Sequence, residues 1–332
     1  MRRSRIVLAV TGGLICLILC MMASVAYGSK IVSFQNVIKA IFDLHIDTFE
    51  ASVVRARIPR TMFGVLAGAA LGVSGALMQA ITRNPIADPS ILGVNTGASL
   101  FVVVGIAFFR ITSGTQYIWL AFIGASLTAV FVYGMASTGY GGATPIKLAL
   151  AGAATSTALS SLVNTVMLPS SQVMDEFRFW QAGSTGGTGW NDIVLVLPYL
   201  VIGFVVAVFV APSLNTMALG DEVATSLGVN IKKVRIISAL AGVLLCSSTT
   251  ALAGPIGFVG LMVPHFMKLL IGPDLIKVIP MSAIGGSCLL LIADVIGRVL
   301  GRPGELEVGI VTAMIGAPVF ILVVRKAKVR AV

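Results

Sequence analysis

Along most of the chain, apolar residues run on for about the 20 positions that a helix needs to cross a bilayer, and polar residues gather between the runs. Judged by length and flanking polar residues, the pattern predicts ten spans. They are Ile6–Tyr27, Met62–Ile81, Ile91–Phe109, Tyr117–Ser137, Ile146–Leu168, Ile193–Val210, Ile236–Leu252, Ile256–Leu270, Val278–Ile296 and Val308–Val324. One polar stretch with helical spacing stands out, Leu219 to Arg235. There Asp221 is placed to cap a short helix, and Glu222 follows in its first turn, where a carboxylate favours the exposed amides. Val223, Ala224 and Leu227 share a face, and Gly228 supplies the stop. Pro212 to Leu219 predicts a second short piece capped by Ser213, so residues from about 213 to 228 read as a helix-turn-helix lying across the membrane face. Asn230 then caps the next span. A helix with one apolar face, too short to span, implies docking onto a soluble partner.

The composition agrees with a multi-pass membrane protein: 332 residues, 57% hydrophobic, 11% charged and a mean hydropathy of +1.00. A net charge of +10 would suggest nucleic acid in a soluble chain. Here the basic residues sit singly or in short runs at span ends, which is the positive-inside pattern, so no nucleic acid is expected. The even span count puts both termini on one side, and Arg2, Arg3, Arg5 and the Arg325 to Arg330 tail make that side the cytoplasm. The run from Ile6 is longer than a signal-peptide core and is read as a retained first helix. Of the 23 Lys and Arg, 14 then lie inside. Arg55, Arg57, Arg60, Arg298 and Arg302 stay outside against the rule.

Little in the chain promises chemistry. Cys16, Cys20, Cys246 and Cys288 fall in apolar runs without C-x-x-C spacing and read as small buried hydrophobes. His45 and His265 are the only histidines, so no metal cluster or His-based triad is expected. Gly183 to Gly189 lacks the Lys-Ser/Thr ending of a phosphate loop and reads as a flexible outer loop. Small-x-x-x-small spacing at Gly64, Gly68 and Gly72 permits close helix packing. Pro255 and Pro264 interrupt one short span, as in a broken helix buried in protein or lining a path. A proton-driven transporter would want mid-membrane carboxylates. Asp43, Asp88, Asp175, Glu176, Asp221, Glu222, Asp274, Glu305 and Glu307 all lie away from span centres, and Asp294 sits near an outer end, four residues before Arg298. An intramembrane enzyme would want paired Asp, metal-spaced His or a Ser/His pair in the spans, and these are missing.

Four ordered stretches carry a family resemblance. They are Arg57 to Arg60 leading into Gly68 to Gln79, Arg83 to Gly93, Leu252 to His265, and Gly304 to Pro318. In these the chain resembles the permease subunits of the iron-siderophore, haem and cobalamin ABC importers, the FecCD-like transmembrane subunits of type II importers, from about residue 50 to 324. The resemblance implies a single all-α, ten-helix permease domain over residues 1–332 in the bacterial cytoplasmic membrane, with short cytoplasmic coupling helices and no catalysis of its own. It implies two cytoplasmic ATPase subunits that hold the ATP and Mg, a second permease subunit, identical or paralogous, and an extracytoplasmic binding protein delivering a ferric siderophore or related metal chelate, with haem or cobalamin as the alternative cargo. Residues matching the family's ATPase-coupling helix are Asp221, Glu222, Val223, Ala224, Leu227 and Gly228. Arg57, Arg60 and Arg298 match its docking arginines. Thr144 and Pro145 stand at the cytoplasmic gate position, where the proline departs from the family's small polar pair and a helix start capped by Thr144 is the alternative. Asn84, Pro85 and Asp88 lie in a cytoplasmic turn that either touches the ATPase or shapes the turn.

Overall fold

The computed structural model describes residues 2–28, 32–43, 48–139 and 144–326; His45 and the end of the basic tail, residues 327–332, fall outside them. Among the described residues the chain is helical, without strands. The helices are α1 (Arg2–Ala26), α2 (Phe34–Phe42), α3 (Phe49–Thr82), α4 (Val94–Phe109), α5 (Gly114–Ser137), α6 (Pro145–Met167), α7 (Ser171–Gln181), α8 (Trp190–Met217), α9 (Asp221–Ser226), α10 (Ile231–Ala253), α11 (Val259–Ile271), α12 (Leu275–Leu300) and α13 (Val308–Lys326). Seven of them, α1, α3, α5, α6, α8, α10 and α12, are long and apolar enough to cross a membrane, and α4, α11 and α13 are shorter apolar helices.

The bundle is built around α3. In its most apolar stretch 78% of residues are buried inside the protein, against 6% for α1. Lipid gives apolar side chains no reason to leave it, so helix association in a bilayer depends on close backbone approach and interhelical hydrogen bonds. Both operate here. A side chain at Gly68 would meet the Gly286 carbonyl of α12, and one at Gly75 the Gly260 carbonyl of α11. Ser287 donates to the Val65 carbonyl at 2.7 Å and Ser74 to the Gly242 carbonyl at 2.5 Å.

Three sequence expectations change. The second span is the inner part of a 34-residue helix that starts at Phe49, capped by Thr48, so Arg57, Pro59 and Arg60 are helical and not in a loop. The separate piece expected from Pro212 to Leu219 is the end of α8, and Ser213 is mid-helix. Buried Ala207, Val210, Ala211, Leu214 and Met217 keep one apolar stripe in register through Pro212. The Gly183 to Gly189 loop is anchored: Ser184 N donates to the Ala253 carbonyl at 2.7 Å, Gly309 N to the Gly183 carbonyl at 3.0 Å, and buried Thr185 to Asp294 at 2.8 Å. The break after α10 does occur. Residues 254–258 are non-helical, with Gly254 and Phe258 at positive φ.

Candidate functional site

The polar island forms α9, held by three other helices. Its cap is Gly220 at φ 121, which only glycine adopts without strain, and Asp221 is the first helical residue instead of the expected cap. The Asp221 carboxylate has another task. It accepts from Arg83 at the end of α3 and from Arg235 of α10 at 2.9 Å. Arg83 also donates to the Met217 carbonyl that ends α8. Gly228 at φ 82 closes the helix, with Val229 N on the Ala224 carbonyl at 2.9 Å, and Asn230 caps α10 by accepting from Lys233 N at 3.0 Å. Ala224 is fully buried, whereas Leu219, Val223 and Leu227 are 66%, 44% and 63% exposed, and Glu222 is exposed as well. The apolar residues thus divide: Ala224 seats the helix, and the other three face outward beyond it.

A second clasp lies beside it. Asn215, near the end of α8, donates to Asp274 at 2.7 Å and accepts from Leu275 N at 2.8 Å, while Lys277 pairs with Asp274 at 2.7 Å. The hydrogen bond from Lys277, then those from Asn215 and the Ile276 amide, hold the Asp274 carboxyl below the usual carboxylate range. In the turn after α3, Asn84 accepts from Ile86 N at 3.1 Å, and Asp88 caps a short 3-10 turn, Pro89–Leu92, through Ser90 N at 2.9 Å. Burial pushes the Asp88 carboxyl up. Pro85 is exposed. Thr144 caps α6 through Lys147 N at 3.4 Å, and Pro145 is the first helical residue, the place where its missing N–H costs nothing.

The three arginines do not stand out as a ring. Arg298 is 1% exposed, pairs with Asp294 at 2.7 Å, and donates to the carbonyl and hydroxyl of Ser24 at 2.9 Å. Arg57 is 8% exposed and donates to the Val25 and Ala26 carbonyls at 3.0 and 3.1 Å. Arg60 is part-buried, bonded to Asp294 through Nε and Nη2 and to Glu305 at 2.7 Å. Their charge is taken up inside the protein, tying α1, α3, α12 and the 182–189 loop together, because a desolvated cation needs several acceptors close by. The i,i+4 pair expected for Asp294 and Arg298 is present.

Sequence reading missed one face entirely. On α6, Thr157, Ser160, Ser161, Asn164 and Thr165 are exposed. Thr157, Ser161 and Thr165 bond to carbonyls four residues back at 2.8 to 3.0 Å, which leaves a stripe of small, partly satisfied polar groups on an apolar helix. Their spacing of three and four was readable and would have identified it.

Comparison with known proteins places this geometry. The model of the FecCD transport family matches residues 16–326. The chain is 41% identical over 319 residues to the ferric enterobactin transport system permease protein FepD of Escherichia coli (strain K12), covering 96% of this chain and 95% of that one. It is 40% identical over 305 residues to the Fe(3+)-citrate import system permease protein YfmD of Bacillus subtilis (strain 168), covering 92% and 90%. Among solved structures, an inward-facing conformation of a "putative metal-chelate type ABC transporter" superposes with a TM-score of 0.83 at 25% identity, over 97% of this chain and 99% of the other.

Proposed function

We infer that this chain, which belongs to the FecCD transport family, is the membrane permease subunit of an ATP-driven importer that carries a ferric siderophore or related metal chelate into the cytoplasm. Its relatives named for ferric enterobactin and ferric citrate support that cargo class. Seven long and three shorter apolar helices are read as ten crossings with both termini in the cytoplasm, where α9 lies. A partner ATPase holds ATP and Mg and does the hydrolysis, and an extracytoplasmic protein supplies the chelate.

The observation that carries the reading is α9: an outward apolar face on a helix whose only carboxylate anchor is gripped by α3 and α10. An ATPase seated on Leu219, Val223 and Leu227 would pull through Asp221 on the central helix directly. Nucleotide can drive such a change only through its different affinity for the two conformations. The stripe on α6 supports a path shared with a second permease copy, since hydroxyls and an amide facing hydrocarbon would be costly. Thr144 at the inner end of α6 would stand at the cytoplasmic mouth of that path, and Asn84, Pro85 and Asp88 would shape the turn that presents Arg83. Of the three arginines, Arg60, paired with part-exposed Glu305, is the one a binding protein's carboxylate could reach.

Val223→Asp or Leu227→Asp would place a charge in the ATPase interface at a cost of about 2–5 kcal/mol. Each variant should insert normally yet fail to co-purify the ATPase or to support binding-protein-stimulated hydrolysis in liposomes. Wild-type behaviour in both assays would reduce α9 to a surface loop.

A further inference from the structure

Three of the four cysteines converge. Cys16 and Cys20 lie one turn apart on α1, Cys288 faces them from α12, and the three Sγ atoms lie within 4.8 Å of one another. Cys20 and Cys288 are buried against Leu291, with Leu17, Met21, Val65 and Ile284 packed around them. Cys16 is exposed. A crevice of about 240 Å³ between α1 and α12, walled by Leu19, Ala23, Ile292 and Val295, opens beside Cys16 and Cys20. The sequence hid this cluster: Cys288 is remote in the chain, and α1 offered no C-x-x-C pair.

We propose that Cys16, Cys20 and Cys288 form a three-sulfur site for a soft monovalent cation, cuprous copper. With metal–sulfur bonds of about 2.3 Å, a trigonal site needs sulfurs about 4.0 Å apart, so each sulfur has to move inward by about half an ångström at most. Thiol ligands select soft ions, and among the described residues no His, Asp or Glu side chain joins the group to favour a hard one. Coordination number decides among the soft ions. Cuprous ion is satisfied by two or three sulfurs, and each Cu–S bond forms as a thiol releases its proton, because the thiolate is the ligand. Zinc needs a fourth ligand for its tetrahedron, which Leu17, Val65 and Leu291 cannot supply, and the Met21 thioether packed beside the cysteines suits cuprous ion. A bound ion would fasten the lipid-exposed α1 to α12.

The test titrates the purified full-length permease, reduced and anaerobic, with cuprous ion buffered by a competing chelator. The readouts are copper content, proton release and X-ray absorption at the copper edge. The expected result is one ion per chain, protons released in step with the copper bound, and a shell of sulfur alone. Cys20→Ser and Cys288→Ser should each weaken binding at least about tenfold, while Cys246→Ser leaves it unchanged. Thermal unfolding of the metal-free variants separates lost ligands from lost fold, because Ser is close to Cys in size. The proposal is overturned by undiminished binding in the triple serine variant, by equal loss in Cys246→Ser, by a nitrogen or oxygen shell, or by a disulfide among the three in freshly isolated reduced membranes.

Discussion

Replacing Asp294 by Asn separates a structural charge network from a docking surface. Asp294 is 3% exposed. One of its oxygens accepts from Arg60 Nε at 3.1 Å, Arg60 Nη2 at 2.7 Å and Thr185 at 2.8 Å, and the other accepts from Arg298 Nη2 at 2.7 Å. An asparagine keeps the first set with its carbonyl but turns an NH2 toward Arg298, setting donor against donor. Arg298 would then be a buried cation with the Ser24 contacts and no carboxylate, and breaking a buried pair in this way costs about 3–5 kcal/mol. Removing both partners, as in Asp294→Asn with Arg298→Met, should recover most of that loss, since what is costly is the orphaned charge. The assay is reversible unfolding of the micelle-bound protein by a denaturing detergent, run as a double-mutant cycle. A single Asp294→Asn change within about 0.5 kcal/mol of wild type, or a double variant no better than the single, would refute the reasoning.

Other expectations follow from the same contacts. Arg57→Glu should prevent accumulation of folded protein, because its carboxylate would face the Val25 and Ala26 carbonyls; a stable variant impaired only in binding-protein association would restore Arg57 to the docking surface. Gly68→Leu should break the seam between α3 and α12, where even a Cβ meets the Gly286 carbonyl, as read by loss of the monodisperse peak on size exclusion. Cysteines placed at Thr157, Ser161 and Asn164 in a cysteine-free background should react with a membrane-impermeant thiol reagent, and protection of all three would argue against an aqueous path along α6. Because the Asp274 carboxyl is held low, its contribution to stability is present above the unfolded value of about 3.9 and disappears as pH falls through the lower folded value. Melting temperatures of Asp274→Asn and wild type should therefore differ at neutral pH and converge in acid.

The membrane class, the positions of most apolar helices and the short polar helix α9 were legible because each rests on a local pattern. Apolar run length marks a span, and α9 is bracketed by Gly220 and Gly228 in a chain with few polar islands. Misreadings came where a tertiary partner decides. Ser213 has the residue type of a cap, yet the stripe from Ala207 to Met217 carries α8 straight past it. Asp221 has the look of a cap too, but its carboxylate is claimed by Arg83, 138 positions earlier. The outer arginines were visible as exceptions to the charge rule, and only the positions of Asp294, Ser24 and Val25 reveal that Arg298 and Arg60 share a carboxylate and that Arg57 is held by backbone carbonyls. Local spacing likewise gave no hint that Asn215 would fasten the end of α8 to Asp274.

The central claim is that this chain conducts an intact metal chelate under the control of an ATPase seated on α9. Its direct test is uptake into proteoliposomes holding the permease with its ATPase, supplied with binding protein and a chelate carrying radioactive iron in a separately labelled chelator. The account predicts that both labels accumulate inside in the loaded ratio, only with ATP, and that neither does in Leu227→Asp. Iron arriving without its chelator, or uptake driven by an ion gradient with no ATP, would contradict it.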